Sequence, residues 1–573
     1  MKKMLLALII FAAAFTVSAQ PGPVKDGSSP AEPVAAPGSE SAAAGSTAEA
    51  VPPPQPVSPS RSTVVRPAGA NFVTWYYELK LKKRGLSPDD LCVHSIPQSH
   101  IDAAWRWRIK QTHRKVYRTW TQALKYMETR PEYTFSGSAP QYYEWLLQDH
   151  PEVFAEVVRR EKEGRWEIVG GSWIEPDGNL PDGESFCRQR LEGQRFYLEH
   201  FGHIADIEWM LDSFGYNRNL PQIVARSGAK YMWTSKLVWN RETIFPFHNF
   251  VWRGPDGSEV LTHICPISVV PNFFPTAELD KYKATRYLLK PGVSLVANYA
   301  TDPKDIEAAL SSDWSNEVGV FYGLGDGGLG PRGFEITIQE SLQSKGYARP
   351  SFGIDLFRHL EEDKDRYPVW DDEMFLEYHH GVSTSQAWIK RANRLTEQML
   401  HSAESLRATL HVQGFSYPFA QLKEIWKLFL LQHFHDILPG SSIPEVYDDA
   451  RQDFARIQTA VREITNAGLL ELARLVTVKP PKGANGLVVY NALAWPRAGL
   501  VTVAVQKGKW YRVTDGQGNE LPSELTEKDG QSWLTFRSDV MPSMGYDTYF
   551  ISTTEGSTTT PAAPFRRASG TKS

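Results

Sequence analysis

Two periodicities divide the chain. From about Asn71 to Trp370, short β-rich apolar runs alternate with amphipathic helical stretches. That alternation predicts an α/β domain, a largely parallel β-sheet with flanking helices. Between Pro151 and Glu163, for example, Val153, Phe154, Val157 and Val158 share one helical face, and Gly164 ends the run. Trp166 to Val169 then reads as a buried strand stopped by Gly170 and Gly171. After Ser383 the apolar positions recur every three or four residues, first at Ile389, Ala392, Leu395, Met399, Ala403, Leu406 and Leu410. Leu422, Ile425, Trp426, Phe429 and Leu430 continue the pattern, followed by Phe454, Ile457, Val461, Ile464, Gly468 and Leu472. These stripes predict a three-helix bundle packed on the α/β domain. Past Pro480 and Pro481 the pattern turns to alternation in Leu487–Tyr490, Leu500–Val505 and Tyr546–Ile551, which predicts a small β module, a partial β-sandwich. The expected boundaries are 68–370, 371–478 and 483–552 for these three parts, making the chain a multidomain α/β protein.

The ends read differently. Lys2 and Lys3 precede an uncharged apolar run from Met4 to Val17, and Val17, Ser18 and Ala19 suit signal peptidase. Residues 1–19 therefore read as a signal peptide, which predicts an exported protein, periplasmic or secreted. A membrane anchor would need roughly 20 apolar residues, more than this run supplies. Residues 20–67 are rich in Pro, Ala and Ser and read as a disordered linker, and 553–573 as a disordered tail. A length of 573 residues predicts about three or four domains. The 62 Lys and Arg against 66 Asp and Glu leave a formal charge of −4, which offers no footprint for nucleic acid. No membrane span is expected in the mature chain, and an oligomer is compatible with the sequence. Cys92, Cys187 and Cys265 lack any CxxC or finger spacing and read as free thiols.

Four segments could carry chemistry. His100 and Asp102 follow the strand-like run Leu91 to Ile96, and an extended i, i+2 pair shares one face. Ligands in open α/β sheets bind beyond the carboxyl ends of strands, and zinc accepts both residue types. The alternative is that Asp102 caps a helix while His100 makes a satisfied polar contact. Asp212 follows Ile207 to Leu211 at another strand end, where an Asx turn is the structural alternative. Asp326 sits in the glycine-rich run Gly323 to Gly330 after Val318 to Tyr322. That run lacks the Lys-Ser or Lys-Thr of a phosphate loop, but a carboxylate among largely apolar backbone could keep a raised pKa and act as an acid. His433, His435 and Asp436 are placed at the end of the second bundle helix, where i and i+2 point about 200° apart, so one imidazole at most faces a site.

Taken together, Ser99–Trp105, Leu211–Tyr216, Gly325–Pro331 and Gln432–Asp436, in this order, resemble the family 38 glycoside hydrolases, zinc-binding retaining α-mannosidases. Gly170–Asn179, Glu377–Gln386 and Phe434–Ser442 also look like that family, and the resemblance covers about Cys92 to Tyr490. The Gly-Asp-Gly-Gly loop looks like the bacterial and cytosolic-type branch. The resemblance implies that His100, Asp102, Asp212 and His435 hold one Zn2+ per chain, that Asp212 is the nucleophile, and that Asp326 is the acid/base. Trp105, Phe214 and Asp436, with Trp173 and Asp177 behind them, match substrate-binding positions. The implied substrate is an α-mannoside oligosaccharide or glycoconjugate. A retaining mechanism places the carboxyls of Asp212 and Asp326 roughly 5 to 5.5 Å apart. Family members continue through further β structure where this chain has one β module, so it reads as truncated. The rival readings are a metal-dependent polysaccharide deacetylase, against which Asp326 weighs, and a catalytically impaired, exported glycan-binding protein, against which intact Asp212 and Asp326 weigh and for which the shortened C-terminus weighs.

Overall fold

The computed structural model describes residues 82, 92–240, 245–265 and 317–555. The expected leader 1–19, the linker 20–67 and the end of the tail lie outside the described residues. In chain order the first part reads β1 (Cys92–Pro97), α1 (Ile109–Thr129), β2 (Phe135–Gly137), α2 (Pro140–Asp149), α3 (Pro151–Lys162) and β3 (Trp166–Ile168). It continues with α4 (Gly183–Phe201), β4 (Ile207–Trp209), α5 (Leu220–Arg226), β5 (Tyr231–Thr234), β6 (Asn249–Arg253) and β7 (Glu259–Ile264). β8 (Glu317–Tyr322), α6 (Gly333–Ser344), β9 (Arg349–Pro350), α7 (Gly353–Glu362) and β10 (Val369–Trp370) complete it.

β1 is the middle strand of a parallel sheet ordered β8-β1-β9, and β2 pairs with β3 in parallel. A bridge from Gln98 to Ser136 joins these two sheets, and a hydrogen bond of 2.9 Å from Gly170 N–H to the Ile207 carbonyl links β3 to β4. The remaining strands run β10-β6-β7-β5-β4, and among the described residues the β6–β7 hairpin is the one antiparallel pair in these three sheets. Parallel strands buried on both faces read as continuous apolar runs, as β5 does with Tyr231, Met232, Trp233 and Thr234 all buried. Trp209, Trp233, Phe321 and Phe357 interlock in the core above this sheet; each large side chain so buried contributes about 1.5–3 kcal/mol. The sequence unit around Gly164 has the expected shape, for α3 stops at Lys162 and Gly164 turns the chain at φ 68 into β3.

The amphipathic stripes become α8 (Ala387–Val412), α9 (Phe419–Leu431) and α10 (Pro444–Leu475). Ile389, Met399, Leu422, Phe429, Phe454 and Val461 enter the same core as Val93, Trp120 and Val320, so the helices pack on the α/β part through one apolar mass. Gln189 of α4 adds a polar tie, its amide donating to the Leu430 carbonyl at 2.9 Å. Beyond them β11 (Ala484–Asn491), β12 (Leu500–Val505), β13 (Trp510–Thr514), β14 (Glu520–Leu521), β15 (Ser523–Lys528), β16 (Gln531–Arg537) and β17 (Gly545–Thr554) form two antiparallel sheets, β11-β17-β13-β14 and β12-β16-β15. Alternate residues such as Val501, Val503, Val513, Leu534 and Tyr549 fill the space between them. β17 extends to Thr554 and pairs Thr553 with Tyr511, so the expected tail yields its first residues to a strand. Among the described residues no helix is long and apolar enough to cross a membrane.

Candidate functional site

Four strand-end loops meet because their strands are neighbours. β1 and β8 run side by side, and their outgoing loops zip together: Asp102 N–H donates to the Asp326 carbonyl at 2.7 Å, and Ser99 Oγ donates to the Leu324 carbonyl at 2.9 Å. Gly323, at φ 128, makes this approach feasible, since a Cβ there would stand 2.3 Å from the Gln98 oxygen. The loops after β3 and β4 are joined similarly. Ser213 Oγ donates to the Pro176 carbonyl at 2.6 Å, and a Cβ on Gly178 would lie 2.1 Å from the Gly215 oxygen. The last contributor follows α9, whose final residue is Leu431. The segment His433–Asp436 therefore occupies a turn and not the helix end that its sequence suggested. The turn still separates the two imidazoles. His435 enters the cleft, while His433 turns back against Gln189 at 3.5 Å and the Phe429 ring at 4.5 Å.

In the cleft His100, Asp102, Asp212 and His435 present ligand atoms within 4.8 Å of one another. His100 Nε2 lies 3.2 Å from Asp102 Oδ1 and 3.8 Å from Asp212 Oδ2; His435 Nε2 lies 3.4 and 3.7 Å from the same two oxygens. Bonds of about 2.1 Å to a tetrahedral ion put ligand atoms about 3.4 Å apart, close to these spacings. His435 Nε2 is buried and has no hydrogen-bond partner, although three carboxylates surround it within 3.9 Å. An orphaned imidazole nitrogen amid convergent carboxylates fits a divalent metal. Burial works against charge on both rings, but Glu175 first and then Asp102 more than offset it. Together they hold His100 well above its ordinary value and His435 at about 9.

The two remaining carboxyls are tuned in opposite directions. Burial would raise Asp212, yet the ammonium of Lys236, followed by His100 and His435, brings it down to about 2. Lys236 is itself buried and donates to Asp212 Oδ1, leaving Oδ2 toward the imidazoles. Asp326 sits at positive φ of 52 and reaches solvent at the rim, which tempers the effect of its crowded surroundings. Desolvation first, then Asp102 and Asp212, push its carboxyl upward against the pull of His100 and Lys236.

Glu175 and Lys236 were not singled out from the sequence. Glu175 Oε1 accepts the Asp212 backbone N–H at 2.5 Å, its Oε2 faces His100 Nδ1 at 3.4 Å, and its backbone carbonyl faces His435 Nδ1 at 3.3 Å. The available signal was a charged residue inside the apolar Trp173–Pro176 stretch; Lys236 had a comparable signal directly after Ser235 at the end of β5. Of the expected sugar contacts, Phe214 packs its edge near the His435 and His379 rings at 5.9 and 4.6 Å, and Trp105 is half-buried beneath the Arg106 guanidinium at 4.2 Å. Asp436 is buried, accepts from Ser441 Oγ and is pushed up to about 7 by burial and then by Asp102. Trp173 is a correction. It is 0% exposed, its indole N–H donates to Gln141 at 2.9 Å, and it presents no surface to a ligand. Asp177 is buried as well, and its Oδ1 accepts the backbone N–H groups of Asn179 and Leu180, each at 2.8 Å, so it holds a turn.

A sequence profile described as "Glycosyl hydrolases family 38 N-terminal domain" matches residues 90–373, and one described as "Alpha mannosidase middle domain" matches residues 377–472. Alpha-mannosidase 2C1 of Mus musculus is 35% identical over 416 residues, an alignment that covers 72% of this chain and 37% of that protein. The alpha-mannosidase of Saccharomyces cerevisiae is 33% identical over 442 residues, covering 72% of this chain and 38% of that one. The chain thus spans well under half the length of these curated relatives. The crystal structure of an alpha-mannosidase from Enterococcus faecalis superposes with a TM-score of 0.64 at 18% identity, over 82% of this chain and 57% of that one, which is a likeness of fold. The expectation of a signal peptide and export to the periplasm or beyond is corrected. The similarity to the mouse and yeast proteins points to cytosolic or vacuolar types and away from periplasmic or secreted ones. With its α/β part and its helical part each matched by a profile of the same enzymes, and its strand-end His and Asp residues gathered in one cleft, the chain belongs to glycoside hydrolase family 38.

Proposed function

We propose that this chain is a retaining, exo-acting α-mannosidase that hydrolyses terminal α-D-mannosides through a glycosyl ester on Asp212. The opposite tuning of two carboxyls in one cleft carries the proposal: Asp212 is ionised down to about 2, while Asp326 is displaced toward its protonated form. Asp326 donates its proton to the glycosidic oxygen as the bond to the anomeric carbon breaks, and the Asp212 carboxylate forms its ester from the opposite face. Asp326, now an anion, takes a proton from water, whose oxygen attacks the anomeric carbon and releases Asp212. Two displacements leave the configuration retained. Lys236 keeps Asp212 anionic and oriented between them.

His100, Asp102, Asp212 and His435 would hold one zinc ion, which when bound supplies Lewis-acid contact to sugar hydroxyls. Trp105, Phe214 and Asp436 would line the sugar, the first two with ring surface and the third with an acceptor for hydroxyl groups. The names of the aligned relatives support mannose as the sugar. A deacetylase needs a metal-activated water at one acyl carbon and leaves the division between Asp212 and Asp326 without a use.

The test is hydrolysis of an aryl α-D-mannoside with added zinc and with a chelator, followed by NMR of the first sugar formed. Zinc-dependent release of α-mannose is the expected result. No release by folded, zinc-loaded protein, or β-mannose as first product, would overturn the proposal.

A further inference from the structure

At the end of β1 remote from the cleft, three side chains converge that the chemistry above leaves unused. Cys92 and His94 stand two residues apart on β1 and so share a face, and Glu317 on β8 is the register partner of Cys92. Cys92 Sγ lies 3.9 Å from His94 Nε2, Glu317 Oε2 lies 2.6 Å from the same nitrogen, and one ligand atom from each residue falls within 4.8 Å of the others. The strand rise puts this cluster roughly 20 Å from His100.

The surroundings are built as a ligand shell. His94 is fully buried, and Ser351 Oγ engages its Nδ1 at 3.0 Å. Nε2 now shares its proton with Glu317 Oε2 at 2.6 Å, and Ser351 Oγ stands ready to accept the ring proton on Nδ1 once an ion takes Nε2; metal-binding histidines are commonly oriented by such a partner on the other nitrogen. Cys92 and Glu317 are half-buried, which leaves a path from solvent. Charged and polar neighbours flank the cluster. Arg349 Nη2 stands 3.6 Å from Glu317 Oε1, the oxygen directed away from His94, and Arg349 Nη1 donates to His359 Nε2 at 3.1 Å. The His359 ring, 5.2 Å from that of His94, is therefore already engaged.

We propose that Cys92 Sγ, His94 Nε2 and Glu317 Oε2 form a second metal site for a borderline divalent ion such as zinc or cobalt, with water completing a tetrahedron. Sulfur, imidazole and carboxylate together select this class of ion, and a thiolate plus a carboxylate neutralise its charge. Entry of the ion replaces the contact between His94 and Glu317, moves the imidazole proton from Nε2 to Nδ1, and releases the Cys92 thiol proton to water. The ion would clasp β1 to β8 at the end of the sheet opposite the cleft.

Cobalt(II) loading of the full chain tests the site, because the cleft set of two His and two Asp contains no sulfur. A near-ultraviolet thiolate-to-cobalt charge-transfer band is expected in the wild type and in Asp102→Ala. It should be lost in Cys92→Ser and retained in Cys187→Ser and Cys265→Ser. Metal content should fall by one ion per chain in Cys92→Ser. A wild type without the band, or a band that survives Cys92→Ser, overturns the proposal. Should Cys92→Ser fail to fold, Glu317→Gln keeps the shape and the thiol, and it must likewise lose one ion per chain for the proposal to stand.

Discussion

Glu175→Gln probes how the cleft is held together. The carboxylate gives one oxygen to the Asp212 N–H and faces His100 Nδ1 with the other at 3.4 Å. Glutamine has one acceptor oxygen. If that oxygen stays with the Asp212 N–H, the amide NH2 points at His100 Nδ1, and donor meets donor when Nδ1 carries the ring proton. His100 then loses the acceptor that fixes its ring, and the anion behind both imidazoles is gone. Loss of such a partner behind a metal ligand typically costs 10–100-fold in metal affinity, or about 1.4–2.7 kcal/mol. Because the Nδ1 of His435 also faces the Glu175 backbone carbonyl at 3.3 Å, that ring keeps its orientation, and the loss should stay within about 100-fold. Titration of zinc against a chromophoric chelator measures the shift directly, with kcat at saturating zinc staying within a few-fold of wild type. An unchanged zinc Kd would refute the reasoning. So would an unchanged Kd joined to a collapse of kcat, which would place the role of Glu175 on Asp212 alone.

Other outcomes follow from the same geometry. Asp212→Asn should lower kcat on the order of 10⁴-fold or more, and a slow fluorinated mannoside should label the wild type on the peptide carrying Asp212 and leave the variant unlabelled. In Asp326→Asn the alkaline limb of the rate profile should vanish, since the raised carboxyl of Asp326 is the proton donor and activity is otherwise lost as pH rises through it; mannosides with poor leaving groups should suffer most. Glu167 accepts from Gly353 N–H, Ile354 N–H and Ser136 Oγ, yet burial pushes it up from 4.5 to about 7. Its folded form therefore holds the proton longer, and its contribution to stability is fully present below 4.5 and lost as pH rises through about 7. Urea midpoints of wild type minus Glu167→Gln should trace that loss, and a flat difference from pH 4 to 8 would refute it. Gly178→Ala should destabilise by at least about 1–3 kcal/mol in the same urea assay, because its Cβ would meet the Gly215 oxygen at 2.1 Å.

Local pattern was enough for much of this protein. Helices α8 to α10 were legible because a buried face repeats every three or four residues. β12 was legible because Val501, Val503 and Val505 alternate with exposed Leu500, Thr502 and Ala504. The His-x-Asp pair after β1 and the Asp residues after β4 and β8 could be read as strand-end chemistry, since that requires only a strand and the residue that follows it. Position in sequence could not say which groups hold that chemistry in place. Glu175 acts on a backbone 37 residues away and on His435 across 260, while Lys236 reaches Asp212 across 24. In isolation each is a charged residue in a mixed stretch; its role arises when burial removes water and a nearby opposite charge becomes its partner. Trp173 shows the reverse case, a motif aromatic that tertiary packing buries. Local pattern thus reveals amphipathic helices, alternating strands and the titratable groups at strand ends. Which of those groups face one another without water between them depends on packing across the fold, because desolvation and distance set their charge.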